Sequence, residues 1–290
     1  MRFNRLLLLP VAVLALGVVP ACSGETDDNE DNDAGTSVDA GTGGEPDSGP
    51  VTFPDAGSDP GTSPAGTCPT GAIICENFSS GPEANGWVAA KENAIITAEG
   101  GRLHVLTENG HDEKVERPQE QAIARWLKKI PPFGTQLFAR AHVFLTSLPG
   151  DQGQMGTVFV LFSDTETDFG GIELQVIKDQ GFALDDWTTQ PGQGWNRQPV
   201  GATPNMSAGR WVCLEWEVRR ATASAIHGDV RVYVDGALAH AFTGEEGKIG
   251  MRPFNTFMVG YGFVHPQGPS GSETFIDNVV VSSTARVGCQ

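Results

Sequence analysis

Two glutamates stand two residues apart in the stretch RWVCLEWEVRR, which is the spacing of a candidate catalytic pair. Glu215 and Glu217 would leave the same face of a strand, because successive side chains in a strand point to opposite faces. Alternate Cα atoms lie about 6.6 Å apart, and flexible glutamates at that spacing reach the roughly 5–5.5 Å of a retaining glycosidase pair. Alternatively, the two glutamates belong to a ligand-binding surface, or they are two solvated charges.

A second set of side chains would suit a polysaccharide lyase. His142 or Tyr233 would act as the general base, and Arg140 would neutralise the carboxylate of a uronate. The chain has no GxSxG, HExxH, GxGxxG or P-loop pattern, so serine-hydrolase, zinc-protease and nucleotide chemistry have no support.

All these candidates lie in segments where apolar and polar residues alternate, so each strand has an apolar side for a core. If the polar sides belong to one concave sheet, they form a sugar-binding groove of Arg140, His142, Glu173, Gln175, Glu215, Glu217 and Tyr233. Trp187 and Trp195 flank the turn-rich stretch TTQPGQG, where an indole would stack on a sugar ring at the rim. The alternative is an ordinary solvated sheet face with two tryptophans packed under a loop.

The segments that position these residues predict an all-β domain over residues 68–290. They are short, rich in β-branched and aromatic residues, and separated by Gly, Pro, Asn or Asp, and Asp235-Gly236 marks a hairpin. One stretch, RPQEQAIARWLKKI, has apolar residues at helical spacing and predicts a turn or two of helix. The simplest architecture is an antiparallel jelly-roll β-sandwich of two sheets.

Four stretches resemble successive strands of the concanavalin A-like lectin and glucanase superfamily: ICENFSSGPEANGWV, GRWVCLEWEV, GDVRVYVDGALAHAF and FIDNVVVSS. The resemblance implies a concave sheet that meets carbohydrate, and a structural calcium ion shared by Glu76 and Asp277. The retaining glucanases of this superfamily carry E-x-D-x-x-E or E-x-D-x-E on one strand. Gln175, Ile177 and Arg219 stand where such motifs require acids, which favours binding over catalysis.

Cysteine usage indicates an exported protein. Beyond Cys22, four cysteines remain, an even number that predicts two disulfides, with three pairings open. Because the first and last strands of this fold class are commonly neighbours, we expect Cys68–Cys289, which leaves Cys75–Cys213.

The first 67 residues are not expected to belong to the sandwich. Residues 1–21 have the basic start, apolar run and small residues of an export signal, and VPACSG resembles the cleavage site of bacterial lipoproteins. That resemblance implies lipidation of Cys22 and, because Ser23 follows it, the outer membrane; the alternative is a secreted protein cut near Ala21. Residues 22–67 are rich in Asp, Gly, Ser, Thr and Pro and predict a disordered tether.

The acidic balance bears on possible partners. The net charge is −17, and the acids are concentrated in the tether, which contains no Lys or Arg. We therefore expect no nucleic-acid partner. The sequence favours a surface-anchored lipoprotein with a non-catalytic carbohydrate-binding domain, against a polysaccharide hydrolase or lyase of the same fold and a purely structural surface protein.

Overall fold

The computed structural model describes residues 59–107, 121–150, 154–164, 170–178, 181–188, 194–197, 204–243, 248–264 and 271–289, the stretch 194–197 by its backbone alone. The predicted export signal, the lipidation of Cys22 and the tether up to residue 58 lie outside this part of the chain and stay predictions. Within the described ranges no helix has the length and apolar character to cross a bilayer.

The described residues form strands, with one short 3-10 helix at Glu83–Asn85. The strands are β1 (Ile74–Glu76), β2 (Val88–Glu92), β3 (Ala94–Glu99), β4 (Arg102–Thr107), β5 (Ala122–Lys129), β6 (Gln136–Leu145), β7 (Met155–Phe162), β8 (Gly171–Ile177), β9 (Gly181–Asp186), β10 (Gly194–Arg197), β11 (Trp211–Arg220), β12 (His227–Val234), β13 (Ala237–Phe242), β14 (Ile249–Gly250), β15 (Thr256–Phe263) and β16 (Ser272–Ser282).

These strands build two antiparallel sheets. The nine-stranded sheet has the order β13-β12-β11-β6-β16-β4-β3, with β1 beside β16 and β14 beside β12. The seven-stranded sheet has the order β10-β9-β8-β7-β15-β5-β2. Along the described strands the chain crosses from one sheet to the other eight times: between β1 and β2, β2 and β3, β4 and β5, β5 and β6, β6 and β7, β10 and β11, β14 and β15, and β15 and β16. The predicted all-β, antiparallel jelly-roll sandwich is confirmed.

The core lies between the sheets and follows from the alternation in the sequence. Leu214, Trp216 and Val218 of β11 point inward and are buried, and the ring of Trp216 stacks on Phe159 of β7 with centroids 6.1 Å apart. Burying a large apolar side chain of this kind contributes about 1.5–3 kcal/mol. The polar residues between them, Glu215 and Glu217, therefore point to the outer face of the nine-stranded sheet.

The helix predicted around residues 117–130 is wrong where the structure describes it. Residues 122–129 form β5, which pairs with β15 on one side and β2 on the other. The stretch carries both periodicities: Ile123, Arg125 and Leu127 alternate with Ala124 and Trp126. Pairing on two sides satisfies the backbone polar groups and buries Trp126 in the core, which outweighs the local helical spacing.

The expected disulfide pairing is also wrong. The bonds are Cys68–Cys75 and Cys213–Cys289, each with a Cα–Cα distance of 5.8 Å. The first strand, β1, does lie beside the last, β16. However, the chain leaves β16 and turns back over β11, so Cys289 meets Cys213 instead of Cys68.

The segments on either side of the sandwich, residues 59–67 before β1 and 286–289 after β16, lie on the outer face of the nine-stranded sheet, and we call them the terminal segments. The indole of Trp211 donates to the carbonyl of Pro60 over 3.0 Å, and Arg140 donates to the carbonyls of Thr67 and Gly288 over 3.1 and 3.2 Å. Residues 59–67, which the composition assigns to the tether, thus contact the sandwich.

Candidate functional site

The polar residues predicted to form one groove divide between the two sheets. Glu173 and Gln175 lie on β8 of the seven-stranded sheet, whereas the others lie on β6, β11 and β12 of the nine-stranded sheet: Arg140, His142, Glu215, Glu217 and Tyr233. All point away from the core, but the outer faces of two packed sheets point in opposite directions. The prediction of a single groove that contains all seven residues is therefore wrong.

Glu215 and Arg140 belong to a network that the terminal segments complete. Glu215 accepts hydrogen bonds from Arg286 over 2.7 Å and from the backbone N–H of Gly288 over 2.8 Å. The hydrogen bond with Glu215 raises the pKa of Arg286, whereas burial lowers the pKa of Arg140. Arg140 is 1% exposed and donates to backbone carbonyls, so it offers no open position for a uronate.

Of the other predicted acid and base residues of this face, Glu217 and His142 are buried and Tyr233 is half-buried. The hydroxyl of Tyr233 donates to Glu217 over 2.9 Å, and burial, with Glu217 beside it, raises the pKa of Tyr233. The ring of Tyr233 is covered by Arg286, whose guanidinium carbon lies 3.8 Å from the ring centroid. Burial, with Arg140 nearby, lowers the pKa of His142 to about 4, so this imidazole is neutral at pH 7. Tyr233 and Glu217 thus form a hydrogen-bonded pair that Arg286 covers, and His142 is buried on the same sheet.

The outer face of the seven-stranded sheet carries an open groove of about 540 Å³. Its lining comes from β2, β5, β7, β8, β9 and β15 and from residues that adjoin them: Ala90, Lys91, Glu92, Gln121, Ile123, Arg125, Leu127, Phe162, Glu173, Asp185, Trp187, Met258 and Val264. We call this surface the sheet groove.

One row of cross-strand neighbours runs along the sheet groove. Asp185 of β9 stands opposite Glu173 of β8, which stands opposite Val160 of β7. The row continues through Met258 of β15 and Leu127 of β5 to Val88 of β2. Directly opposite residues have Cβ atoms about 4.5–5.5 Å apart. Along this row the residues are polar on β8 and β9, which we call the polar end, and apolar on β15, β5 and β2, which we call the apolar end.

An ion pair forms the floor of the polar end. Arg125 Nη1 lies 3.3 Å from Glu173 Oε1, and the hydroxyl of Thr157 donates to Glu173 Oε2 over 2.9 Å. The Glu173 side chain is 6% exposed and that of Arg125 is 15% exposed. Gln175 is buried beside them, and its Oε1 has no partner within the described residues.

An aromatic pair forms one wall. The indole of Trp187 stacks on Phe162, with ring centroids 5.4 Å apart, and both side chains are half-buried. The indole fits because residue 171 is glycine: a Cβ there would lie 2.2 Å from Cζ2 of Trp187. The backbone of Trp195 pairs with Asp185 at the edge of the sheet, but its side chain lies outside the described residues.

The proposed calcium ligands, Glu76 and Asp277, do not fit a shared ion. Both oxygens of Glu76 accept from N–H donors: Phe78 over 2.9 Å, Asn85 over 2.8 Å and Trp87 over 3.2 Å. Asp277 lies on the outer face instead, where it accepts from the hydroxyl of Ser63 and the backbone N–H of Asn278. Calcium requires oxygen ligands that converge on one point, whereas these two carboxylates have separate partners.

Sequence reasoning found three of the residues on this outer face and missed several others. It named Glu173, Gln175 and Trp187 but not Arg125, Phe162, Asp185 and Met258. The alternation of Ile123, Arg125 and Leu127 was the available signal for Arg125, and the helical interpretation of that stretch concealed it.

Comparisons with known proteins find solved structures of similar fold at low sequence identity. No protein-family model matches the chain, and no curated protein matches it significantly. Among solved structures, cellulose induced protein Cip1 is similar over 75% of this chain and 100% of its own, with 13% identity and a TM-score of 0.49. The endo-β-1,4-glucuronan lyase from the fungus Trichoderma reesei covers 77% of this chain and 95% of its own, at 14% identity and a TM-score of 0.46. Alginate lyase vAL-1 from Chlorella virus covers 73% and 99%, at 12% identity and a TM-score of 0.47. Similarity this low does not bear on substrate or activity.

Proposed function

We propose that the sheet groove binds carbohydrate and that the protein is a non-catalytic binding protein. The observation that carries this proposal is the arrangement along one open sheet face: the stacked pair of Trp187 and Phe162 beside the polar floor of Arg125 and Glu173. On the opposite sheet, by contrast, Arg140 and Glu215 are engaged by the terminal segments.

The arrangement suits the two surfaces of a sugar ring. The C–H face of a pyranose is apolar and packs on an aromatic ring, whereas its hydroxyls at the rim donate and accept hydrogen bonds. Trp187 and Phe162 supply the first kind of contact. Asp185, Gln121 and the exposed part of Arg125 supply the second.

The composition of the groove favours binding over lyase chemistry. Its described lining contains no His or Tyr to remove a proton, and Glu173 is occupied by Arg125 and Thr157. The sequence adds a cellular setting to the proposal: a lipid on Cys22 would anchor the protein to the outer membrane, and the acidic tether would hold the domain outside the cell.

One observation supports a second function, glycoside hydrolysis. Glu173 and Asp185 are direct cross-strand neighbours on the groove side of β8 and β9. Two carboxylates about 5–5.5 Å apart are the arrangement of a retaining glycosidase. In this alternative one of them attacks the sugar and the other protonates the leaving oxygen.

Incubating the purified protein with a panel of plant and microbial polysaccharides separates these functions. The measurements are retention of the protein on each polymer and release of reducing or unsaturated ends. Retention without release supports the binding protein, and release that Glu173→Gln and Asp185→Asn each abolish supports the hydrolase. A protein that is retained by no polymer and releases nothing has a structural role, and the proposal is then wrong.

A further inference from the structure

The charges of the sheet groove bear on which class of glycan it takes. Its described lining includes the acids Glu92, Glu173 and Asp185 and the bases Lys91 and Arg125. Arg125, the base on the floor, is already paired with Glu173 at 3.3 Å. Lys91 lies on the exposed edge strand β2. The described part of the groove therefore carries a small excess of negative charge, three acids against two bases, and presents no unpaired cation on its floor.

This balance opposes an acidic polysaccharide. A polyuronate brings one carboxylate per sugar, and each needs a cation or several N–H donors to replace its water. Here it would meet Glu173 and Asp185, and like charges brought together at a partly desolvated surface repel. A neutral sugar meets no such repulsion, since its hydroxyls donate to carboxylate oxygens.

The apolar end extends the binding surface beyond one sugar. A second cavity of about 300 Å³ shares Leu127, Phe162 and Met258 with the sheet groove and reaches Val88 at the edge of the sheet. Its charged residues, Lys129 and Asp164, pair with each other. The two cavities therefore adjoin each other at Phe162 and Met258.

From these observations we infer that the sheet groove takes a chain of several uncharged sugars, with the polar end and the apolar end as neighbouring subsites. This inference rests on the proposed carbohydrate-binding function. It names the glycan class, a neutral polysaccharide, and it names Glu173 as the residue that excludes uronates by occupying Arg125.

The test compares neutral and acidic polymers with the wild-type protein and Glu173→Gln. Glutamine keeps an acceptor for Thr157 but removes the charge, so it frees Arg125 for an incoming carboxylate. Affinity electrophoresis would use uncharged glucans, xylans, mannans and galactans in one set and alginate and polygalacturonate in the other. Low ionic strength, about 20 mM, keeps charge effects unscreened. Glu217→Gln on the opposite sheet is the matched control.

The inference predicts that wild type is retarded by at least one neutral polymer and by neither acidic one. Glu173→Gln should become at least fivefold more retarded by an acidic polymer, and Glu217→Gln should not. Should Glu173→Gln fail to fold, Asp185→Asn removes the negative charge next to Glu173. Because it leaves Arg125 paired with Glu173, the gain expected from weaker repulsion alone is smaller, about twofold. Retardation of wild type by acidic polymers, or no gain in the variant, overturns the inference but leaves the binding function intact. Retardation by no polymer at all contradicts the binding function itself.

The length of the ligand provides a separate readout. If the two cavities are neighbouring subsites, the affinity for neutral oligosaccharides from the bound polymer should rise with chain length until both are filled. Met258→Ala should remove the gain from the longer oligosaccharides and leave the affinity for the shortest unchanged. Equal affinities for all lengths would show that a single sugar fills the site.

Discussion

Arg125 and Glu173 meet across the outer face of the seven-stranded sheet, 3.3 Å apart, although β7 and β15 lie between their strands. Two long side chains must reach over the intervening strands to form this pair. Small outward residues make room for them, notably Gly260, which is the direct neighbour of Arg125 on β15. The pair links the two halves of the groove floor.

Removing Arg125 is expected to destabilise the protein, because Glu173 would be left buried without its cation. Arg125→Met should lower the free energy of unfolding in urea by about 3 kcal/mol, and adding Glu173→Leu should restore most of it. Arg210→Met is the control, since Arg210 pairs with Asp235 at the exposed surface and should cost less than about 1 kcal/mol. Equal losses for the two single variants would show that the floor pair is as weak as a surface pair.

Gly171 is expected to control the aromatic wall. Gly171→Ala places a methyl group where the indole of Trp187 lies, so the indole must move away from Phe162. We expect at least a fivefold loss of polysaccharide affinity by isothermal titration calorimetry. Gly134→Ala meets open space and should bind as wild type does. An unchanged affinity for Gly171→Ala would remove Trp187 from the binding surface.

Because His142 is buried in its neutral form, the protein is expected to lose stability in acid. Its pKa is about 4 in the folded protein and 6.5 when unperturbed. Between these values the unfolded chain binds more protons, so stability is complete above pH 6.5 and is lost as the pH falls to about 4. The loss should reach up to about 3 kcal/mol. Urea unfolding across this range should show a shallower pH dependence for His142→Gln; an identical slope would contradict the burial of a neutral imidazole.

The two disulfides should contribute unequally. Cys213–Cys289 closes a loop with a sequence separation of 76 and Cys68–Cys75 one with a separation of 7. In the chain-entropy model, the first bond stabilises the folded protein by about 4–5 kcal/mol and the second by about 2 kcal/mol. Paired Cys→Ser variants, compared by urea unfolding, test this order, and a larger loss for the short loop would reverse it.

The sequence predicted the sandwich because alternation fixes which side chains face the core, as Leu214 and Trp216 show against Glu215. It did not predict which strands share a sheet, because the alternation of β8 and that of β11 look alike whichever sheet they join. Glu173 and Glu215 consequently appeared to be neighbours. The enclosure of Glu215 could not be predicted either, because it depends on contacts with Arg286 and Gly288, which follow the last strand.

The most direct test of the binding function compares Trp187→Ala with Tyr233→Phe. Each changes one aromatic residue, Trp187 in the sheet groove and Tyr233 in the covered network of the opposite sheet. The ligand is the polysaccharide that retains the wild-type protein. For Trp187→Ala we predict a dissociation constant at least tenfold larger than that of wild type, a change of about 1.4 kcal/mol in binding free energy. For Tyr233→Phe we predict wild-type affinity. Wild-type affinity in Trp187→Ala together with a loss in Tyr233→Phe would place the binding surface on the nine-stranded sheet and contradict the proposed site.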